Sequence, residues 1–252
     1  MTALFPKMKS RPESRAVAAC LVYVTIGFLM LPFFVTFFAL LLFPTEKGQC
    51  WLEIILHGVS FSICVYVFRD YLDDCFYDFQ QDKKRFLLIT GGGILACCAV
   101  WLNLVLFTPL ENLRYFATFY SLPIAEKNMV IYPLNVLMTH PIPGLLCMTV
   151  LSPVAVSCLY YGVAFAPICN TKPWLGYILT TLMIALPRLA GCAMFRWDVE
   201  MELLTMIAQM PIHWICCFCY EQADNVWSPI LIHALTNLLG SGAVLLLVSG
   251  AV

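Results

Sequence analysis

Charge is the scarcest commodity in this sequence. Only 12% of its 252 residues are charged, against roughly 25% in soluble domains. Fourteen Lys and Arg nearly cancel fifteen Asp and Glu, leaving a net charge of −1. There is no basic stripe and no interleaved aromatic platform, so nucleic acid is not an expected partner. Histidine is rarer still, at four residues. In place of charge the chain carries 62% hydrophobic residues and a mean hydropathy of +0.86. The few charges fall in short blocks between long apolar runs, which predicts an all-α, polytopic membrane bundle. No second soluble domain and no internal repeat is visible.

Several familiar site signatures are also missing. Gly91-Gly92-Gly93 has no Lys-Ser/Thr after it, so it is not a phosphate loop and reads as a close helix contact. Asp70, Asp73, Asp74, Asp78 and Asp82 lack the glycine turn and terminal glutamate of a calcium loop, and read as a solvated linker or helix surface. The thirteen cysteines show no recurrent spacing, and Cys97-Cys98 and Cys216-Cys217-Phe218-Cys219 lie inside apolar segments, where cysteine packs. His213 with Cys216 or Cys217 makes two corners of a zinc site, but no second ligand pair accompanies them. Neither a metal nor a cofactor is expected.

Seven apolar spans can be read along the chain. Lys7, Lys9, Arg11 and Arg15 precede an uncharged run from Ala16 to Phe43, too long for a signal-peptide core and without a cleavage site. Trp51 to Phe68, Phe86 to Leu110, Ile142 to Pro167, Trp174 to Phe195, Leu203 to Tyr220 and Trp227 to Val252 follow, with an eighth span open around Met129 to Met138. The alternate polar segments starting from the N-terminus hold four, four, one and no Lys or Arg, and the others one, two and one. That bias predicts an integral, multi-pass membrane protein with a cytoplasmic N-terminus. The chain divides at 141/142, between N-terminal helices (1–141) and a C-terminal helical core (142–252).

Polar residues inside the spans are functional candidates because lipid makes them costly. They are His57, Asn103, Arg188, His213, His233 and Asn237. Arg188 carries the largest penalty, roughly 2.5–3.5 kcal/mol near a helix centre. It follows Pro187, whose break in the helix frees carbonyls that a guanidinium can satisfy. His233 and Asn237 are four residues apart and share one helix face. Two readings of this pair stay open: packing glue between helices, or part of a site.

The stretch Cys219-Tyr-Glu-Gln-Ala-Asp-Asn-Val-Trp-Ser-Pro-Ile-Leu-Ile-His-Ala-Leu-Thr-Asn237 resembles the last motif of the CAAX protease and bacteriocin-processing family of intramembrane endopeptidases (the CPBP or Abi family). Tyrosine, tryptophan, proline and His-x-x-x-Asn are all kept. The family's first motif, a Glu-Glu pair followed by Phe-Arg-Gly, corresponds to Pro153-Val-Ala-Val-Ser-Cys-Leu-Tyr-Tyr-Gly162. There Val156 and Ser157 stand for the glutamates and Tyr161 for the arginine, while Tyr160 keeps the aromatic slot. The second motif, Phe-x-x-x-His, falls on Ile184-Ala-Leu-Pro-Arg188, with arginine for histidine. The resemblance covers about residues 142 to 252.

In that family the first-motif glutamate is held to activate water, and the last histidine and asparagine to stabilise the oxyanion. Amide hydrolysis needs both a base and preorganised donors. By this resemblance His233 and Asn237 keep the oxyanion side, and the base is gone. It implies a degenerate homologue that binds a peptide or a lipidated (prenylated or bacteriocin-like) segment within membrane lipid. One alternative is an active endopeptidase with a displaced base, for which Glu200 and Glu202 are nearest in sequence to the second motif. Another is an unrelated transporter or scaffold. Gly240-Ser241-Gly242 lies downstream of His233, the wrong order for a rhomboid-type serine nucleophile.

Overall fold

A computed structural model describes residues 46–107, 140–170, 172–183 and 199–248. The expected first span, the eighth-span region, Arg188 and most of the connector 111–141 lie outside them. The described residues form helices without strands. These are α1 (Glu46–Val67), α2 (Arg69–Gln81), α3 (Lys83–Phe107), α4 (Pro141–Cys169), α5 (residues 173–183), α6 (Val199–Ala223) and α7 (Trp227–Val248). Among them α4 is long and apolar enough to cross a membrane.

The acidic block after α1 is helical, as one of its two sequence readings allowed. In α2 the inward side chains Tyr71, Leu72 and Cys75 are buried, whereas Asp70, Asp73, Asp74 and Asp78 are exposed. The apolar stripe holds α2 on the bundle, and the carboxylates stay solvated. Tyr71 reaches far enough inward to share a hydrogen bond of 2.6 Å with the hydroxyl of Tyr220 on α6.

α3 packs against both α6 and α7. The glycine triplet explains the fit at one position only. A Cβ on Gly93 would stand 2.5 Å from Cys219 Sγ and 2.6 Å from Ile232 Cδ1, while Gly91 and Gly92 meet nothing. Gly93 therefore lets α3 touch two helices at once.

α6 and α7 are joined by a tight turn. Asp224, just past the end of α6, takes a left-handed φ of 49°, which aspartate tolerates better than most residues. Buried Asn225 then does two jobs. Its Oδ1 accepts the Trp227 backbone N–H at 2.9 Å, as an N-cap does, and its Nδ2 donates to the Cys75 carbonyl of α2 at 2.5 Å. Trp227 Nε1 donates to the Leu72 carbonyl at 3.1 Å, and the hydroxyls of Ser228 and Thr90 share a hydrogen bond of 2.8 Å. Arg85 closes the collar by donating to the Gln222 carbonyl at 2.7 Å. The start of α7 is thus fixed by α2 and α3, and this fixes the register of His233 two turns on.

Candidate functional site

α4 is not a uniform α-helix. Two stretches, Cys147–Leu151 and Ser157–Phe165, are π-helical, separated by the α-helical Ser152–Val156. Runs of π-helix are rare and mostly single bulges, frequently at functional sites. The longer run begins at Ser157 and carries Tyr160, Tyr161 and Gly162. It therefore takes in most of the stretch that resembles the family's first motif. At Gly162 the small residue leaves room for the Tyr71 ring, which an added Cβ would meet at 3.4 Å.

The wider turns bring Tyr161 to α6. Its side chain is fully buried, and its hydroxyl shares a 3.2 Å hydrogen bond with Nδ1 of His213, the donor following the ring tautomer. His213 in turn faces His233 of α7, with ring centroids 6.3 Å apart and the rings perpendicular. Three helices thus contribute Tyr161, His213 and His233 to one cluster. Nδ1 of His233 and Oγ of Ser157 are among the buried side-chain atoms that have no hydrogen-bond partner in the structure. Orphaned buried polar atoms of this kind are rare in folded chains and mark places where a ligand group or water belongs.

Asn237 is placed differently. Its Nδ2 donates to the Met148 carbonyl at 2.8 Å, inside the first π-helical stretch of α4. One amide hydrogen thereby ties α7 to α4, while the amide's other hydrogen and its oxygen remain for other partners. Val156 ends the α-helical turn before the long π-run and is half-buried. Of the two remaining in-span candidates among the described residues, His57 lies in α1 and Asn103 returns its amide to its own helix, at the Ala99 carbonyl, 2.7 Å away.

Two residues gain weight from the structure. His213 stood in the sequence only as a costly polar residue and half of a weak zinc pair. Its partnership with Tyr161, 52 positions away, has no local signal. Glu221 falls just past the expected span Leu203 to Tyr220, yet it lies within α6 and is 1% exposed. Its Oε2 accepts the Tyr177 hydroxyl of α5 at 2.8 Å. A buried glutamate following a tyrosine at the end of an apolar run was the available clue. Among the described residues, no group of three or more His, Cys, Asp or Glu side chains is arranged to hold a metal ion.

Chemically the Tyr161–His213–His233 cluster offers hydrogen-bond donors and acceptors from three helices. It can hold polar groups such as a peptide's amide. Residues 138–239 match the model of the family described as Type II CAAX prenyl endopeptidase Rce1-like. No curated protein matches the chain, and no solved structure does.

Proposed function

We infer, from the match of residues 138–239 to the type II CAAX prenyl endopeptidase Rce1-like family, that the chain is a membrane protein that binds a peptide or prenylated segment without cleaving it. Its surroundings are those of the family, a membrane-embedded one. We take the whole chain to cross the membrane seven or eight times with a cytoplasmic N-terminus, and the core to begin near residue 142.

One observation carries the reading. By the resemblance Val156 and Ser157 stand where the family has its water-activating glutamates, and His213, which faces His233, shares a hydrogen bond with the Tyr161 hydroxyl. Valine cannot take a proton from water, and a serine hydroxyl does so only when a base activates it. The cluster keeps hydrogen-bonding capacity through Tyr161, His213 and His233, which suits recognition of backbone amides. The orphaned His233 Nδ1 and Ser157 Oγ would be satisfied by such a ligand.

The rival reading, an active enzyme with a displaced base, has Glu221 to draw on as a buried carboxyl among the described residues. It sits eight residues from His213 on α6, about 12 Å along the helix axis at 1.5 Å per residue. A general base works within hydrogen-bond reach or through one water, so this carboxyl is too far from the cluster to serve. Glu200 and Glu202 lie in the first turn of α6, farther still from His213 along the helix.

The test is cleavage and binding of prenylated and membrane-embedded peptides by the purified chain in nanodiscs. Wild type should bind and not cleave, and His233→Ala should weaken binding. The triple variant Val156→Glu, Ser157→Glu, Arg188→His should gain cleavage. Cleavage by wild type that disappears in His233→Ala would overturn the binding-only reading. Absence of binding by wild type would point to the scaffold or transporter alternative.

A further inference from the structure

The place where α4, α5 and α6 meet holds a second polar cluster that the peptide-binding reading does not use. Its centre is Glu221, just beyond the expected sixth span Leu203–Tyr220 and the one carboxyl that is buried among the described residues. Its neighbours are few. Tyr177 of α5 donates to Oε2 at 2.8 Å, and the Cys169 thiol at the end of α4 stands beside the carboxyl. Cys217 approaches from one turn earlier on α6. The Arg85 guanidinium on α3 is exposed and donates to the Gln222 backbone carbonyl. Oε1 has no hydrogen-bond partner.

An ionised carboxylate offers about four acceptor sites, and its burial is costly unless a cation or several donors face it. One hydroxyl and one weak thiol donor fall short of that. A protonated carboxyl fits the same surroundings. Oε2 keeps the Tyr177 hydrogen bond, and the proton on Oε1 gives that atom a donor directed to its surroundings, with the Cys169 sulfur as a weak acceptor.

We propose that this junction is a proton-held latch: Glu221 is kept as the neutral acid, and loss of its proton releases α5 from α6. An ionised Glu221 accepts the Tyr177 hydrogen bond more strongly but lacks the further donors a buried charge needs, so release comes from water entering to solvate it, against few ties between the helices. The Tyr177–Glu221 bond at one end and the Trp214 Nε1–Thr181 Oγ1 bond of 3.0 Å one turn along α5 are the hydrogen bonds seen between the two helices among the described residues. α5 sits close at this end, since a Cβ on Gly176 would lie 3.2 Å from the Cys169 backbone. The latch goes beyond the peptide-binding reading and stands whether or not that reading does.

The sign follows from linkage. Burial pushes the Glu221 carboxyl up from its ordinary range, against a lowering by the Tyr177 and Cys169 hydrogen bonds. Above about pH 4.3, the ordinary glutamate value, the folded chain then holds a proton that the unfolded chain has given up. Glu221's contribution to stability is full below that pH and is lost as pH rises through its folded value.

The experiment uses the full chain in nanodiscs. Infrared spectroscopy of wild type at neutral pH should show a protonated-carboxyl stretch that is absent from Glu221→Gln. Hydrogen exchange in residues 173–183, corrected for intrinsic rates, should lose protection with rising pH in wild type and hold steady in Glu221→Gln. Tyr177→Phe, which removes one tie and keeps the carboxyl, should exchange faster than wild type at every pH. Absence of the infrared band, or the same pH dependence of exchange in wild type and Glu221→Gln, overturns the latch.

Discussion

Single side chains set the position of the histidine helix. Asn225 caps α7 and satisfies the Cys75 carbonyl of α2 in one stroke. Asn225→Ala should lose about 1 kcal/mol for the cap and a further 1–3 kcal/mol, roughly, for the abandoned carbonyl, read as a drop in thermal stability. Asn225→Asp keeps the cap but presents a second acceptor to that carbonyl, and should recover only part of the loss. Tyr161→Phe removes the hydrogen bond to His213 and leaves the packing, so stability should fall by about 0.5–1.5 kcal/mol. On the binding reading its peptide affinity should fall as well, because His213 loses its orientation. At this scale the sequence was legible only where the signal is local. His233 and Asn237 announce themselves by their spacing of four, whereas the Tyr161–His213 and Tyr71–Tyr220 pairs join residues 52 and 149 positions apart. Spacing along one helix carries no trace of such pairs.

Among the helices, the contact of α3 with α6 and α7 depends on one missing methyl group. Gly93→Ala would drive a Cβ into Cys219 Sγ and Ile232 Cδ1. Both are side-chain atoms, so the cost should be that of overpacking, about 1–3 kcal/mol. Gly92→Ala, facing open space, should instead be neutral or slightly stabilising through helix propensity. Thermal unfolding of the two variants side by side checks the contrast, and equal effects would mean α3 is not seated by Gly93. The reading of the triplet as a close contact was therefore right in kind for one of its three residues. Which one depends on helix phase, and in an apolar helix with lipid or protein on every side hydrophobicity does not report phase. The acidic block posed the reverse problem. Its helical form was open in the sequence, and the inward Tyr71, Leu72 and Cys75 against outward aspartates give the amphipathic pattern that settles it.

On the scale of the whole molecule, the sequence carries more of the class than of the arrangement. Helical character follows from the apolar runs, and the likeness of residues 138–239 to the family from a locally kept motif. The π-helical course of α4 does not, because π and α turns draw on the same residue preferences. The proposed topology has a direct check: protease sites placed before Ala16 and in the short link at Asp82 should both be cut from the cytoplasmic side, and protection of either would reverse the orientation. The π-run has an evolutionary consequence as well. A one-residue deletion in a buried α-helix turns everything beyond it by about 100° and is normally ruinous. Between Ser157 and Phe165 the helix already holds surplus chain in its wide turns. A deletion there can be absorbed by reverting to ordinary winding, leaving the flanking helix in place. This is where lineages of this chain should differ in length while keeping their fold.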